Sequence, residues 1–168
     1  MAFSGPALAF ETLGKQAILV DAKTGAVLFE KNADERMPPS SMSKIMTVYK
    51  LFEALKNGAL SLTDTFHVSE KAWRKGGSKM FVRVNSRVKV EDLIRGIIVQ
   101  SGNDATIVVA EGLAGSEASF AGELNTIARR LGMTGSNFTN ASGWPHPDHY
   151  TTARDLARLA LATIKNFP

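Results

Sequence analysis

The sequence contains no cysteine. A disulfide framework, a thiolate metal site and thiol catalysis are therefore excluded, and cysteine pairing carries no information on the redox compartment. Long apolar runs are missing too. The best stretch, Leu93 to Val99, is short and interrupted by Arg95 and Gly96, so nothing in the sequence resembles a membrane span. Aromatic residues make up only 8% of the chain, and in the basic stretch from Lys71 to Arg95 only Trp73 and Phe81 offer stacking faces. Cations that alternate with apolar residues in this way fit a solvated basic face rather than a nucleic-acid groove, so no nucleic-acid partner is expected. Histidine is scarce as well: His67, His146 and His149. The last two share a proline-rich loop with Asp148, where i, i+3 histidines have no fixed facing geometry, so the expectation is a surface loop and no metal.

What is present is enough apolar residue for a core. The 168 residues are 44% apolar and 21% charged, within the range of one globular domain. A formal charge of +4 favours anionic partners without choosing among them. Residues 1–15 read as a tail. Its Ala7-x-Ala9 pattern resembles a signal-peptidase site but lacks a basic n-region and a full apolar h-region, so a trimmed export signal and a disordered tail both stay open.

From Gln16 to Asp21 and from Ala26 to Lys31 the chain reads as a β-hairpin turning at Asp21 to Gly25. Pro38-Pro39-Ser40 ends extended structure, and from Ser41 to Leu55 apolar residues fall nearly all round a helix, which predicts a centrally buried one. Asn57-Gly58 ends it. Thr65 to Val68 and Met80 to Val84 read as short strands among loops. Helices are predicted over Val90 to Gln100, Asp104 to Gly112 and Ser116 to Leu131, the last with a stripe of Phe120, Leu124, Ile127 and Leu131. A turn-rich loop through Asn137, Asn140, Gly143 and Pro145 leads to a final helix opening at Thr151-Thr152 with Asp155. There is no internal repeat, low-complexity tract or linker.

Ser41-Met42-Ser43-Lys44 opens the most apolar helix, and a spacing of three sets the Ser41 hydroxyl and the Lys44 amine on one face, a turn apart. A serine hydroxyl needs a base, and a lysine serves only where burial or nearby positive charge holds it neutral. This helix supplies the burial, and its N-terminal amides offer donors to a developing oxyanion. Read alone, the spacing better fits an N-cap at Ser40 or Ser41 followed by an exposed first-turn lysine at Lys44. Ser101-Gly102-Asn103 changes the weighing. It lies at a break between two apolar helices, where a hydroxyl able to relay a proton and an amide able to hold a carbonyl can enter a cleft. Glu91, Glu111 and Glu123 read as solvated helix faces, and no carboxylate stands out as a general base. Trp144 reads as a loop anchor or cleft wall.

With these motifs in place, the chain resembles the low-molecular-mass penicillin-binding proteins that act as serine DD-carboxypeptidases. The resemblance rests on Pro39-Ser40-Ser41-Met42-Ser43-Lys44-Ile45-Met46-Thr47, Gly77 to Phe81, Leu93 to Ala105 and Tyr150 to Asp155, and it covers nearly all of residues 16–168. It implies an α/β (α+β), transpeptidase/β-lactamase-like fold, with an antiparallel sheet flanked by helices and the site between the sheet and an all-helical region. It implies that Ser41 is acylated by a peptide ending in D-Ala-D-Ala, that Lys44 is the base, that Ser101 relays a proton and that Asn103 binds the acyl-side amide. The peptidoglycan stem peptide and β-lactam antibiotics are the partners so implied, with no cofactor, in a periplasmic or extracytoplasmic setting; membrane association of the full-length protein stays open.

The family's third motif, Lys-Thr-Gly, lies on a later strand that lines the cleft. Lys23-Thr24-Gly25 has the same letters but sits in the first hairpin turn, where glycine has a local reason, and is a decoy. The expectation is accordingly that residues 16–168 form the N-terminal part of a catalytic domain, truncated before that motif and with an incomplete sheet. Such a sheet leaves room for self-association or a complementing chain. A β-lactamase on the same scaffold, and a non-catalytic fragment or pseudoenzyme that only binds cell-wall peptide or a partner, remain the alternatives.

Overall fold

The computed structural model describes residues 11–168, so the Ala7-x-Ala9 pattern lies outside the described residues. Two strands, β1 (Ala17–Val20) and β2 (Val27–Lys31), pair antiparallel with Ala17 opposite Lys31 and an irregularity at Leu19/Val20. The intervening turn is held by Asp21, whose Oδ1 accepts from the Lys23 and Thr24 backbone N–H groups and the Thr24 hydroxyl. Gly25 closes it at φ +75°, a left-handed conformation that disfavours any side chain. The Lys-Thr-Gly string is therefore turn chemistry. Residues 11–15 are held along the hairpin by bonds from Lys31 Nζ to the Thr12 carbonyl and from Asn32 Nδ2 to the Lys15 carbonyl.

The helical body contains α1 (Ser43–Lys56), α2 (Glu70–Arg74), α3 (Val90–Gln100), α4 (Asn103–Ala114), α5 (Glu117–Arg130) and α6 (Ala153–Asn166). A second small antiparallel pair, β3 (Thr65–His67) and β4 (Arg87–Lys89), sits among them. Every residue of α4 from Asn103 to Ala110 is buried, as expected of a helix that touches α1, α2, α3, α5 and β3. Around it gather Met46, Tyr49, Leu51, Leu93, Phe120, Leu124, Phe138 and Leu159 in one cluster. Side-chain caps start three helices: the hydroxyls of Ser69, Ser116 and Thr152 accept the backbone N–H groups of Ala72, Ser119 and Asp155.

Two sequence expectations need correction. Met80 to Val84 is not a strand. Its backbone N–H groups at Met80 and Val82 are taken by the Asp104 carboxylate, and Phe81 has φ 63°, so no ladder can run through it. The central helix does not begin at Ser41 either. Residues Ser40–Met42 form a single 3₁₀ turn, and α1 proper starts at Ser43.

Hairpin and helical body are tied together near the start of α6. The Arg154 guanidinium bonds Asp34 and Glu30, its backbone N–H donates to the Ala33 carbonyl, and Met37 and Thr151 exchange backbone bonds of 2.8 and 2.9 Å. The chain thus reaches the 3₁₀ turn already fixed against residues 151–154. Among the described residues no helix is long and apolar enough to cross a membrane.

Candidate active site

The 3₁₀ turn leaves Ser41 exposed, whereas Lys44, in the first turn of α1, is only 5% exposed. The Lys44 Nζ atom lies 2.9 Å from Ser41 Oγ, in hydrogen-bond contact. No carboxylate pairs with Lys44 among the described residues, and burial lowers its pKa from the ordinary lysine value. An amine in this setting is held nearer its neutral form, in which the same contact lets the serine hydroxyl donate to nitrogen.

Ser41 and Lys44 open into a cavity of about 330 Å³ whose wall also includes Ile45, Val48, Phe52, Ile97, Ile98 and Ser101. Exposed apolar side chains of α1 and α3, which an isolated core helix would bury, find their place here: Ile45 is 38% and Ile98 60% exposed. Ser101 closes α3 in a left-handed conformation, φ 54° and ψ 36°. This conformation is uncommon for serine and ends the helix abruptly. It brings the residue to the cavity wall, and no hydrogen bond among the described residues engages its hydroxyl.

Asn103 is placed differently. It is 8% exposed, its Nδ2 donates to the Gly76 carbonyl at 2.9 Å, and its backbone N–H donates to the Ser78 carbonyl at 2.7 Å. It does not line the cavity shared by Ser41, Lys44 and Ser101, and one of its amide protons is already committed to the 76–82 segment. That segment is held a second time by Asp104, a fully buried carboxylate accepting from the Met80, Val82 and Ala105 N–H groups at 2.9 to 3.2 Å. Ser101-Gly102-Asn103-Asp104 is therefore a junction between a cavity wall and the loop beside it.

Sequence reasoning missed His149, expected on a surface loop. The ring is 4% exposed, and its Nε2 lies 2.8 Å from the Ser43 hydroxyl, inside the Ser41–Lys44 motif. Nothing in a Pro-His-Pro-Asp-His string distinguishes the buried histidine from the exposed His146. The flanking Tyr150-Thr151-Thr152, which re-enters the body through β-bridges, is the one available signal. Gly143 on the same loop packs against the Ser40 carbonyl at φ +81°. Trp144 walls a neighbouring groove with Pro38, Pro39 and Tyr150, and the Lys75 ammonium sits 3.9 Å over its ring. Among the described residues no three His, Asp or Glu side chains gather as a metal site. A larger cavity of about 810 Å³, bounded by Tyr49, Lys50, Arg130 and Phe167, is lined by none of Ser41, Lys44, Ser101, Asn103 and His149.

A serine in hydrogen-bond contact with a buried lysine that no carboxylate pairs among the described residues stands in the S-x-x-K spacing found in serine peptidases that use lysine instead of histidine. Residues 4–168 match the family described as D-alanyl-D-alanine carboxypeptidase, and the chain belongs to that family. It is 43% identical over 157 residues to D-alanyl-D-alanine carboxypeptidase DacC of Escherichia coli, an alignment covering 90% of this chain and 39% of that protein. It is 38% identical over 151 residues to DacF of Bacillus subtilis, again covering 90% and 39%. Among solved structures, DacD of Francisella tularensis superposes over 100% of this chain and 41% of its own with a TM-score of 0.96 and 39% identity. Penicillin binding protein 5 of Haemophilus influenzae does so over 97% and 48%, with a TM-score of 0.93 and 36% identity. The fold is thus the transpeptidase/β-lactamase-like α/β fold, of which the chain spans about two fifths of its curated relatives' length.

Proposed function

We propose that the chain is the part of a serine DD-carboxypeptidase that carries the nucleophile. The single observation behind this is the 2.9 Å contact between Ser41 Oγ and the amine of Lys44, which is buried and has no counter-ion among the described residues. Ser41 attacks the carbonyl of the penultimate residue of a peptide ending in D-Ala-D-Ala while Lys44 takes its proton. Ser101 passes a proton to the departing D-alanine amine, and water then releases the acyl group from Ser41. Asn103 holds the substrate amide with the amide capacity that Gly76 leaves unused. β-Lactams acylate the same hydroxyl.

Residues 16–168 are read as the N-terminal part of the catalytic domain, in an enzyme that works outside the cytoplasm. Hairpin β1–β2 pairs with no third strand among the described residues, and Leu19, Val27 and Leu28 are 46 to 63% exposed. An open edge beside uncovered apolar residues supports the addition of further strands here, from a later part of a longer chain, a second copy or a separate chain.

Labelling with a fluorescent β-lactam followed by peptide mapping tests the reading. An adduct on Ser41, lost in Ser41→Ala, supports it. An adduct elsewhere, or none, overturns it. Rapid release of the label would instead identify a β-lactamase. Sedimentation at a series of concentrations tests the open edge, since a monomer throughout the range contradicts association between copies.

A further inference from the structure

Helix α1 differs from α2, α5 and α6 in having no side-chain cap. Neither Pro39 before the 3₁₀ turn nor Met42 before α1 supplies one, and no acidic residue stands in the first turn. Ser40 is held at φ 47°, an unfavourable region for serine. A turn this poorly fixed by its own residues must be fixed from elsewhere if Ser41 is to stay on Lys44.

A tertiary hydrogen bond that reaches it is made by His149. Its Nδ1 accepts the Thr139 backbone N–H and the Asn140 side-chain N–H, each at 3.2 Å. A backbone N–H can only donate, so Nδ1 carries no proton, and the neutral ring bears its proton on Nε2. That proton is donated to Ser43 Oγ at 2.8 Å. The Phe138 ring stands edge-on to the imidazole, 5.6 Å away, and burial lowers the His149 pKa to about 4, with His146 adding to the effect. The same loop touches α1 again where Thr47 Oγ1 donates to the Ala141 carbonyl at 2.7 Å.

We propose that His149 is a positioning residue for the nucleophile: its Nε2–H, given to Ser43, fixes the first turn of α1 and with it the Ser41–Lys44 contact. The assignment rests on the functional reading above, in which Ser41 is acylated.

Two replacements separate positioning from packing. Glutamine carries an N–H donor to the place of Nε2, whereas asparagine reaches only the place of Nδ1 and leaves Ser43 without its donor. In His149→Gln the acylation rate constant at saturating labelled β-lactam should stay within about threefold of the parent, and in His149→Asn it should fall about tenfold to a hundredfold with β-lactam affinity unchanged. Ser43→Ala should lower the rate similarly, and adding His149→Asn to it should cost little more. Equal losses in the Gln and Asn variants, or changes in melting temperature alone, overturn the proposal. An independent readout is the nitrogen-15 spectrum of the imidazole at pH 7, with the amide shifts of Ser41 and Met42. A proton on Nε2, and amides displaced by Asn but not by Gln, support the role; a proton on Nδ1, or undisturbed amides, overturns it. A parent protein that no β-lactam labels would defeat the functional reading, while the spectra would still decide the role of His149.

Discussion

Substituting Gly143 isolates the contact between the 139–150 loop and the turn that carries Ser41. At φ +81° an alanine pays the left-handed penalty, and its Cβ would in addition overlap the Ser40 carbonyl and come within 3.0 Å of Ser43 Oγ. Gly25 is the internal control. It has nearly the same backbone, φ +75°, but nothing within 4 Å of its added Cβ, so Gly25→Ala should cost about 1 kcal/mol from conformation alone. Gly143→Ala should cost about 3 to 4 kcal/mol, because backbone rather than a flexible side chain has to move. For a chain of this size those values correspond to roughly 3 °C and roughly 10 °C in melting temperature. The displaced carbonyl belongs to the residue before Ser41, so a shift of about 1 Å there should slow β-lactam acylation about a hundredfold. Melting by circular dichroism and the acylation rate of folded protein at low temperature measure the two effects. If Gly143→Ala and Gly25→Ala melt alike and acylate alike, the loop does not hold the turn.

Further outcomes follow from the buried polar groups. On the proposed mechanism acylation needs neutral Lys44, and burial lowers its pKa, so the rate should rise with pH through a value below the ordinary lysine range of about 10.4, and Lys44→Ala should abolish the rise while the fold persists by circular dichroism. Asp104→Asn should destabilise by about 3 kcal/mol in urea, since one carbonyl oxygen cannot accept from Met80, Val82 and Ala105 together and the new NH₂ would oppose a backbone donor; a change under about 1 kcal/mol would contradict this account. His149, near 4 in the fold against about 6.5 unfolded, is neutral in both states at high pH. Between these values only the unfolded chain takes the proton, so stability should fall as pH drops from 6.5 to 4, by at most about 1.4 kcal/mol per pH unit. His149→Gln should flatten that part of a urea-denaturation series, and an unchanged slope would refute the assignment.

Much of the fold was legible because it depends on local periodicity. The hairpin, the bounds of α3 at Val90 and Gln100 and the Phe120–Leu124–Ile127 stripe of α5 all follow from patterns within one element. So did the meeting of Ser41 and Lys44, a separation of three residues that a helical turn must bring together. The all-round apolar character of α1 predicts burial, and this holds for Met46, Tyr49 and Leu51. Ile45 and Met42 are exceptions whose exposure a pattern cannot reveal, because the cavity that receives Ile45 is built partly by α3.

What was not legible depends on partners distant in the chain. Met80 to Val84 alternates like a strand, and only the Asp104 carboxylate, more than twenty residues on, removes its ladder donors. His149 looked like its neighbour His146 because burial is decided by Ser43, separated from it by 106 residues. These misses share a physical cause. A buried polar group must find a partner, but the sequence states only its capacity to bond and not which of many compatible groups it meets. A nucleophile has to stand in solvent-accessible space on backbone that does not move, and the apolar contacts that fix a core cannot reach it there. Rigidity at such a place must come from hydrogen bonds between segments, such as the one that joins His149 to Ser43.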